Sequence, residues 1–289
     1  MSLRRCWMAL GIWALLAAIC VAAPINALII DGQGTIGYNH NWKESTPILK
    51  KLLEQSGLFT VDVATTPTAA EERGVFQPDF SKYQLVVVNY SGDNWSTETM
   101  ESLAKFVADG GGLVIFHAAN NAFPKSATFN ELIGLGGWNN RNEKHGPYVY
   151  YKDGKVVRDT SPGVGGSHGK QHVFTMVVRE KDHPIMQGLP EQFAHGPDEL
   201  YDRLRGPAKN LTILASAYSD KSTGGSGREE PILMTVEYGN GRVFQTVLGH
   251  CGKQLAMPSF IVTYLRGAEW AATGKVTQQV PTDLTAGQK

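Results

Sequence analysis

The stretch Gly110-Gly-Gly-Leu-Val-Ile-Phe-His117-Ala-Ala-Asn120 ends an apolar run at an imidazole and then continues into small residues. In an open α/β sheet, a polar side chain at the carboxyl end of a strand points into the crevice where ligands bind. Imidazole titrates near neutrality, so His117 suits proton transfer or metal ligation. Two more groups are candidates: His250, which follows the apolar run Val243 to Leu248 as a second sheet-end group, and the carboxylate Glu199 in Asp198-Glu-Leu-Tyr201. Two imidazoles and a carboxylate are parts that general acid–base chemistry uses. Each also has a plainer reading. His117 could instead hydrogen-bond across the sheet end, Asp198-Glu199 cap loop amides, and His250 anchor the Cys251-Gly-Lys253 loop, with the functional reading favoured for the two histidines.

Around these three, several residues suit ligand recognition. Tyr38 and His40, with Asn39 and Trp42, follow the first apolar run, where a loop reaches the same crevice. Asn120, Trp138 and Tyr201 complete the set of expected substrate contacts. Metal-ligand spacing is weaker. His145, His168 and His172 fall in one irregular segment, and although His168 and His172 are four apart, Gly165, Gly166 and Gly169 oppose a helix there. There is no Cys cluster and no aspartate-rich calcium loop. A catalytic divalent ion stays open, because three dispersed ligands are not recognisable by spacing.

The elements that must position these groups alternate in type. Ala27 to Ile30 reads as a strand, followed by the Gly32-Gln-Gly34 turn and a helix through Ile48, Leu49, Leu52 and Leu53 that stops at Gly57. Strands are predicted at Phe59 to Val63 and Leu85 to Asn89, then a helix capped by Ser96, then Leu113 to Phe116, which delivers His117. This alternation predicts a parallel sheet with helices on both faces. From Asn139 to Gln171 the pattern loosens to one hairpin, Tyr148 to Tyr151 with Lys155 to Arg158, and the segment reads as the pocket wall. Four further strands are predicted at Val173 to Val178, Thr212 to Ala217, Ile232 to Tyr238 and Val243 to Leu248, the last two joined at Gly239-Asn-Gly241. A helix from about Pro258 to Thr273 ends the domain, taken as residues 27–274, and the tail 275–289 looks loosely ordered.

Composition sets outer limits. Lys plus Arg and Asp plus Glu are 27 each, and no basic run interrupts the body of the chain, which argues against nucleic acid. Arg4 and Arg5 before the apolar run Trp7 to Ala23 read as a cleaved secretory signal over residues 1–22, so export to the periplasm or outside is expected, without a stable membrane span. Cleavage would leave Cys251 as the only thiol, and the fold would rest on its core. Thr223-Gly-Gly-Ser-Gly227 opens no predicted helix, and Gly32-Gln-Gly34 lacks a third glycine, so no nucleotide is expected. His183-Pro184 reads as a structural turn.

Gly110-Gly-Gly-Leu-Val-Ile-Phe-His117-Ala-Ala, His183-Pro-Ile-Met-Gln-Gly-Leu-Pro190, Asp198-Glu-Leu-Tyr201, Tyr238-Gly-Asn-Gly-Arg242-Val-Phe and Leu248-Gly-His250 together resemble the ThuA-like family, named for trehalose utilisation. The resemblance spans about Leu28 to Thr273. It implies the flavodoxin-like scaffold of class I glutamine amidotransferases, in which an elbow presents a catalytic Cys. Here His117 stands at the elbow, which sets glutaminase chemistry aside, since a thiolate attacks an amide directly and an imidazole is better suited to protons or metals. The resemblance further implies carbohydrate metabolism on keto-glycosides made by a partner sugar dehydrogenase.

Three functions follow from different classes. One is an exported enzyme that isomerises, eliminates or hydrolyses a keto-sugar through His117, Glu199 and His250. A second is a non-catalytic carbohydrate-binding module with Trp42, Trp95, Trp138 and Tyr148 as an aromatic platform. The third is another hydrolase using Ser91 or Cys251 as nucleophile.

Overall fold

The computed structural model describes residues 23–34, 40–282 and 284. The leader reading of residues 1–22 and the candidate Tyr38 lie outside them. The first half of the chain runs β1 (Ile25–Asp31), α1 (Trp42–Gln55), β2 (Phe59–Thr65), α2 (Ala70–Gly74), β3 (Leu85–Val88), α3 (Thr97–Ala108) and β4 (Gly112–Phe116). Helix α1 turns Ser45, Thr46, Leu49 and Leu53 inward, and α3 turns Met100, Leu103, Ala104 and Val107 inward, each a stripe at helical spacing. The Ser96 hydroxyl accepts from the Thr99 amide and starts α3. A Cβ on Gly112 would lie 2.5 Å from the backbone of Ala271, so glycine there lets β4 begin flush against the last helix.

The second half adds α4 (Ala127–Ile133), the hairpin β5 (Tyr148–Lys152) and β6 (Lys155–Asp159), β7 (Ser167–His168), β8 (His172–Val178), β9 (Gln192–Asp198) and β10 (Tyr201–Asp202). It closes with β11 (Leu211–Tyr218), β12 (Glu229–Tyr238), β13 (Gly241–Thr246), α5 (Gly252–Leu255) and α6 (Pro258–Thr273). Among the described residues one large sheet has the order β2-β1-β3-β4-β13-β12-β11-β8-β9, with β5 and β6 attached at β12. From β2 to β13 neighbours are parallel, as expected. From β13 onward they are antiparallel, so the sheet is mixed. The cause is the turn Gly239-Asn240: two residues reverse a strand, whereas a parallel return needs a long crossover.

Alternating side chains separate the two layers of core. Ala27, Ile29, Val87, Val114 and Phe116 pack with α1 and α6, through Leu49, Leu53, Phe260 and Ala268. Leu28, Ile30, Val86, Val88, Leu113 and Ile115 pack with α3 and α4, through Leu103, Val107, Phe129 and Ile133. The strands are apolar on both sides because both faces are covered.

The irregular stretch between α4 and β8 is held by two buried arginines. Arg141 donates to the carbonyls of Asn121, Ala122 and Gly137 and to Asn130 Oδ1. Arg205 donates to the carbonyls of Gly146, Ser161 and Gly163, with its guanidinium 3.8 Å from the Tyr148 ring centroid. These bonds make the segment a fixed wall. The stretch after Gly274, expected to be loose, is also tied down: Glu269 accepts from Thr277 and Gln278, and Arg266 donates to the Gln278 carbonyl.

Behind β10, Glu230 on β12 is buried and accepts the Ser226 hydroxyl at 2.7 Å. Burial, reinforced by the nearby Asp202 charge, pushes its carboxyl from 4.5 up to about 7. Between these two values the folded chain holds a proton that the unfolded chain has released, so stability is lost as pH rises through that window. Glu230→Gln keeps the acceptor for Ser226 and removes the titration. Urea unfolding at pH 5 and pH 8 is expected to show the wild-type difference shrinking by about 2–3 kcal/mol in the variant; an unchanged difference would assign the pH dependence elsewhere.

Candidate active site

Strand β4 ends at Phe116 with φ −98°, and His117 turns to φ 44°, opening a short 3₁₀ helix over His117–Asn121. A non-glycine residue in the left-handed region costs about 1–2 kcal/mol, and such strain persists where the surroundings enforce it. Here the enforcement is a bond from His117 Nδ1–H to the Val247 carbonyl at 2.6 Å, just beyond β13. A carbonyl only accepts, so Nδ1 carries the proton and Nε2 presents its lone pair outward. Nε2 lies 2.9 Å from the Tyr201 hydroxyl, which is also 3.2 Å from His40 Nε2. The hydroxyl has one proton to give. It goes to His117, and His40 in turn donates to the phenol oxygen.

Glu199 reaches the same place from the β9–β10 turn. Its Oε2 lies 3.0 Å from His250 Nδ1, off the line of a good hydrogen bond, 3.9 Å from His117 Nε2 and 4.0 Å from His40 Nε2. His168 Nε2 is 3.6 Å from the other carboxylate oxygen. Strand β7 brings it there by pairing His168 opposite Tyr201. Trp138 packs on Tyr201 with ring centroids 4.5 Å apart and forms the wall above.

Burial and mutual charge set the protonation of this cluster. Burial lowers His117 well below the ordinary imidazole value, and with the His250 charge it lowers His40 to about 4. Contact with the Glu199 carboxylate raises His250. Burial works to raise Glu199, but the His250 contact and the surrounding imidazoles outweigh it and leave the carboxyl below its usual range. Tyr201 is held far above the normal phenol range by burial and by the Glu199 and Asp198 charges, so it serves as a neutral hydroxyl. At neutral pH His117 and His40 are therefore neutral imidazoles, Glu199 is a carboxylate and His250 is biased toward its cation.

The neighbouring Asp198 has a different task. Its carboxylate accepts from the amides of Glu199 and Gly249 at 2.8 Å each, and from the His250 amide at 3.3 Å. It also accepts from His195 Nε2 at 2.8 Å, and His195 Nδ1 meets the Ser259 hydroxyl at 2.8 Å. Ser259, His195 and Asp198 have the composition of a hydrolytic triad, yet all three are buried and act as a strut. Gly249 sits at φ 104°, and a Cβ there would be 2.8 Å from both Leu255 and Phe116, so only glycine lets this loop close.

The structure thus brings together His117, Glu199, His250, His40, Tyr201, Trp138 and His168. It leaves out His145, whose Nδ1 accepts from the Asn142 amide, and His172, which is bonded to the Lys170 carbonyl and packed on Phe174. Asn120 is fully buried behind the elbow, and its amide makes no hydrogen bond among the described residues. The two readings of Asp198-Glu199 are divided between the residues, with the first capping amides and the second facing the crevice. The His195–Asp198–Ser259 strut was missed. Its one signal was a His and an Asp three apart, which means little without the fold. An aromatic platform does not form from these residues, because Trp95 is buried, stacked on Tyr90 and tilted against Phe123, while Tyr148 is buried beneath Arg205. The Cys251 thiol donates to Gln254 Oε1, not to an imidazole.

Fold and crevice define a sheet-end site of imidazoles, carboxylate and phenol on a mixed α/β domain. The chain belongs to the ThuA family, described as trehalose utilisation, whose model matches residues 26–271. It is 53% identical to a ThuA-like protein from Parabacteroides merdae, covering 91% of this chain and 95% of that one with a TM-score of 0.86. A ThuA-like protein from Bacteroides uniformis shares the fold at 18% identity and TM-score 0.58, covering 90% and 96%. Comparison with curated proteins finds no match.

Replacing Asp198 with Asn keeps its size but sets an amide donor against backbone N–H groups. Asp198→Asn is expected to destabilise the fold by about 3–5 kcal/mol in urea unfolding, the cost of breaking a buried network from one side. A midpoint equal to wild type would mean that the strut does not hold the site loops.

Proposed function

We propose that this ThuA-family protein processes an oxidised (keto) glycoside by proton-transfer chemistry in the sheet-end crevice. The observation that carries the reading is the convergence of His117, Glu199 and His250, from three separate loops, beneath Tyr201 and Trp138. Membership of a trehalose-utilisation family supports a carbohydrate ligand. The parallel order β2-β1-β3-β4, which reverses between β1 and β3, supports an amidotransferase-like, flavodoxin-like scaffold whose ligand lies at the reversal. His40 follows β1 and His117 follows β4, on either side of that point.

For a glycoside with a ketone at C3, removal of the C2 proton sends the C–H electron pair into the carbonyl and forms an enolate. Collapse of the enolate restores the ketone, forms a C1–C2 double bond and breaks the C1–O bond. The departing oxygen takes a proton and leaves as an alcohol. Water adding to C1, with a proton returning to C2, completes hydrolysis, and reprotonation of the enolate alone gives isomerisation. Proton acceptors and donors of suitable kind surround the crevice. The ketone would come from a partner sugar dehydrogenase, and export after removal of residues 1–22 belongs to the same proposal. Among the described residues no helix is long and apolar enough to cross a membrane.

Incubation with a 3-keto-glycoside is expected to release free alcohol or an isomerised keto-sugar. His117→Ala and Glu199→Gln are each expected to lower that rate by about 10²–10⁴, while His145→Ala leaves it unchanged. Wild-type inactivity on keto-glycosides, with sugar binding retained, would replace this reading with a binding protein.

A further inference from the structure

The enolate oxygen formed by such chemistry needs an electrophilic partner, and none of the arginines or lysines among the described residues pairs with the cluster, while the His250 imidazole is already engaged with Glu199. Glu199 has ion contacts with imidazoles alone: His40, His117, His168 and His250. We infer that His40, His117, Glu199 and His250 together bind one divalent first-row transition-metal ion. One ligand atom from each of the four lies within 4.8 Å of all the others. Around an ion about 2.1 Å from its ligands, adjacent ligand atoms are about 3.0–3.4 Å apart and opposite ones about 4.2 Å. The separations of 3.0, 3.9 and 4.0 Å from Glu199 Oε2 to the three imidazoles are of this order. Closure about an ion asks for a few tenths of an ångström per ligand.

The outer shell has the form that metal sites use. His117 Nδ1–H is fixed on the Val247 carbonyl, which aims the Nε2 lone pair at the cluster, and Asp198 holds the peptide groups of Glu199 and His250. His250 Nδ1, the atom that faces Glu199, is buried and has no hydrogen-bond partner among the described residues. A nitrogen atom in that state is costly unless something takes its lone pair or proton. Three nitrogens and one carboxylate oxygen favour zinc, manganese, iron or cobalt over calcium and magnesium, which take oxygen shells. When the ion takes the Nε2 lone pairs of His117 and His40, the Tyr201 hydroxyl gives up its bonds to both and, with His168 at the rim, is left to handle protons. The inference rests on the crevice being the reactive centre, and it supplies the Lewis acid that polarises the ketone oxygen.

The test strips the full chain with a chelator and titrates it with Co²⁺ by visible absorbance and with Zn²⁺ by calorimetry. One ion per chain is expected, with zinc raising the thermal midpoint. His40→Ala and His250→Ala, loop positions whose folding is checked by thermal unfolding, are expected to weaken binding roughly tenfold or more. His145→Ala and His172→Ala are expected to bind as wild type. Absence of saturable binding, or stoichiometric binding that survives in both the His40 and His250 variants, overturns the site. Keto-glycoside turnover measured on the same samples separates the two ideas. An ion bound without turnover upholds the metal site and removes the sugar reading, whereas turnover in fully chelated, ion-free protein keeps the sugar reading and overturns the ion's part in it.

Discussion

The buried carboxylate of Asp198 is the constraint on which the crevice depends. Strand β9 stands four places from β13 in the sheet, which is about 19 Å in a flat sheet. Asp198 at its end nevertheless bonds Gly249 at 2.8 Å, just beyond β13. The antiparallel half must therefore curl until its edge meets the ends of the parallel strands. A fully buried carboxylate is tolerated only when its oxygens are saturated, and here three backbone amides and an imidazole saturate them. The same bonds set the backbone that aims Glu199 and His250, so stability and site geometry are one network.

The parallel half contributes a different discipline. Both faces of β1, β3 and β4 are covered by helices, which leaves their carboxyl ends as the place where polar groups gather without opening the core. The left-handed turn at His117 is compatible with this arrangement because the imidazole is clamped from below by Val247 and met from above by Tyr201. Strain at the elbow is thereby converted into a fixed tautomer, with one nitrogen committed and the other facing the crevice.

Much of this was legible in the sequence. Triple glycine before an apolar run marked β4 and placed His117 at its end, and Gly239-Asn-Gly241 marked the β12–β13 hairpin. The hairpin also meant that the sheet could not stay parallel, a consequence that strand-by-strand reading does not bring out. Strand β9, with His195, Gly196 and Pro197 inside it, lacks the apolar alternation that announces a strand. The stretch after Gly274 looked loose because its anchors, Glu269 and Arg266, lie on the helix and not in the tail.

The sequence by itself determined the family, the alternating elements of the parallel half, and the presence of an imidazole at a sheet end, because these are properties of local pattern. Tertiary structure decided which polar groups meet. His40 and Tyr201 are 161 residues apart and hydrogen-bonded, and Asp198 and Glu199 are adjacent yet their carboxylates turn to different partners. His145 and His172 share the segment of His168 and stay away, because only His168 lies on the short strand that pairs with Tyr201. Those outcomes follow from how the curled sheet and the separate β7–β10 pair come together, and no spacing along the chain encodes it.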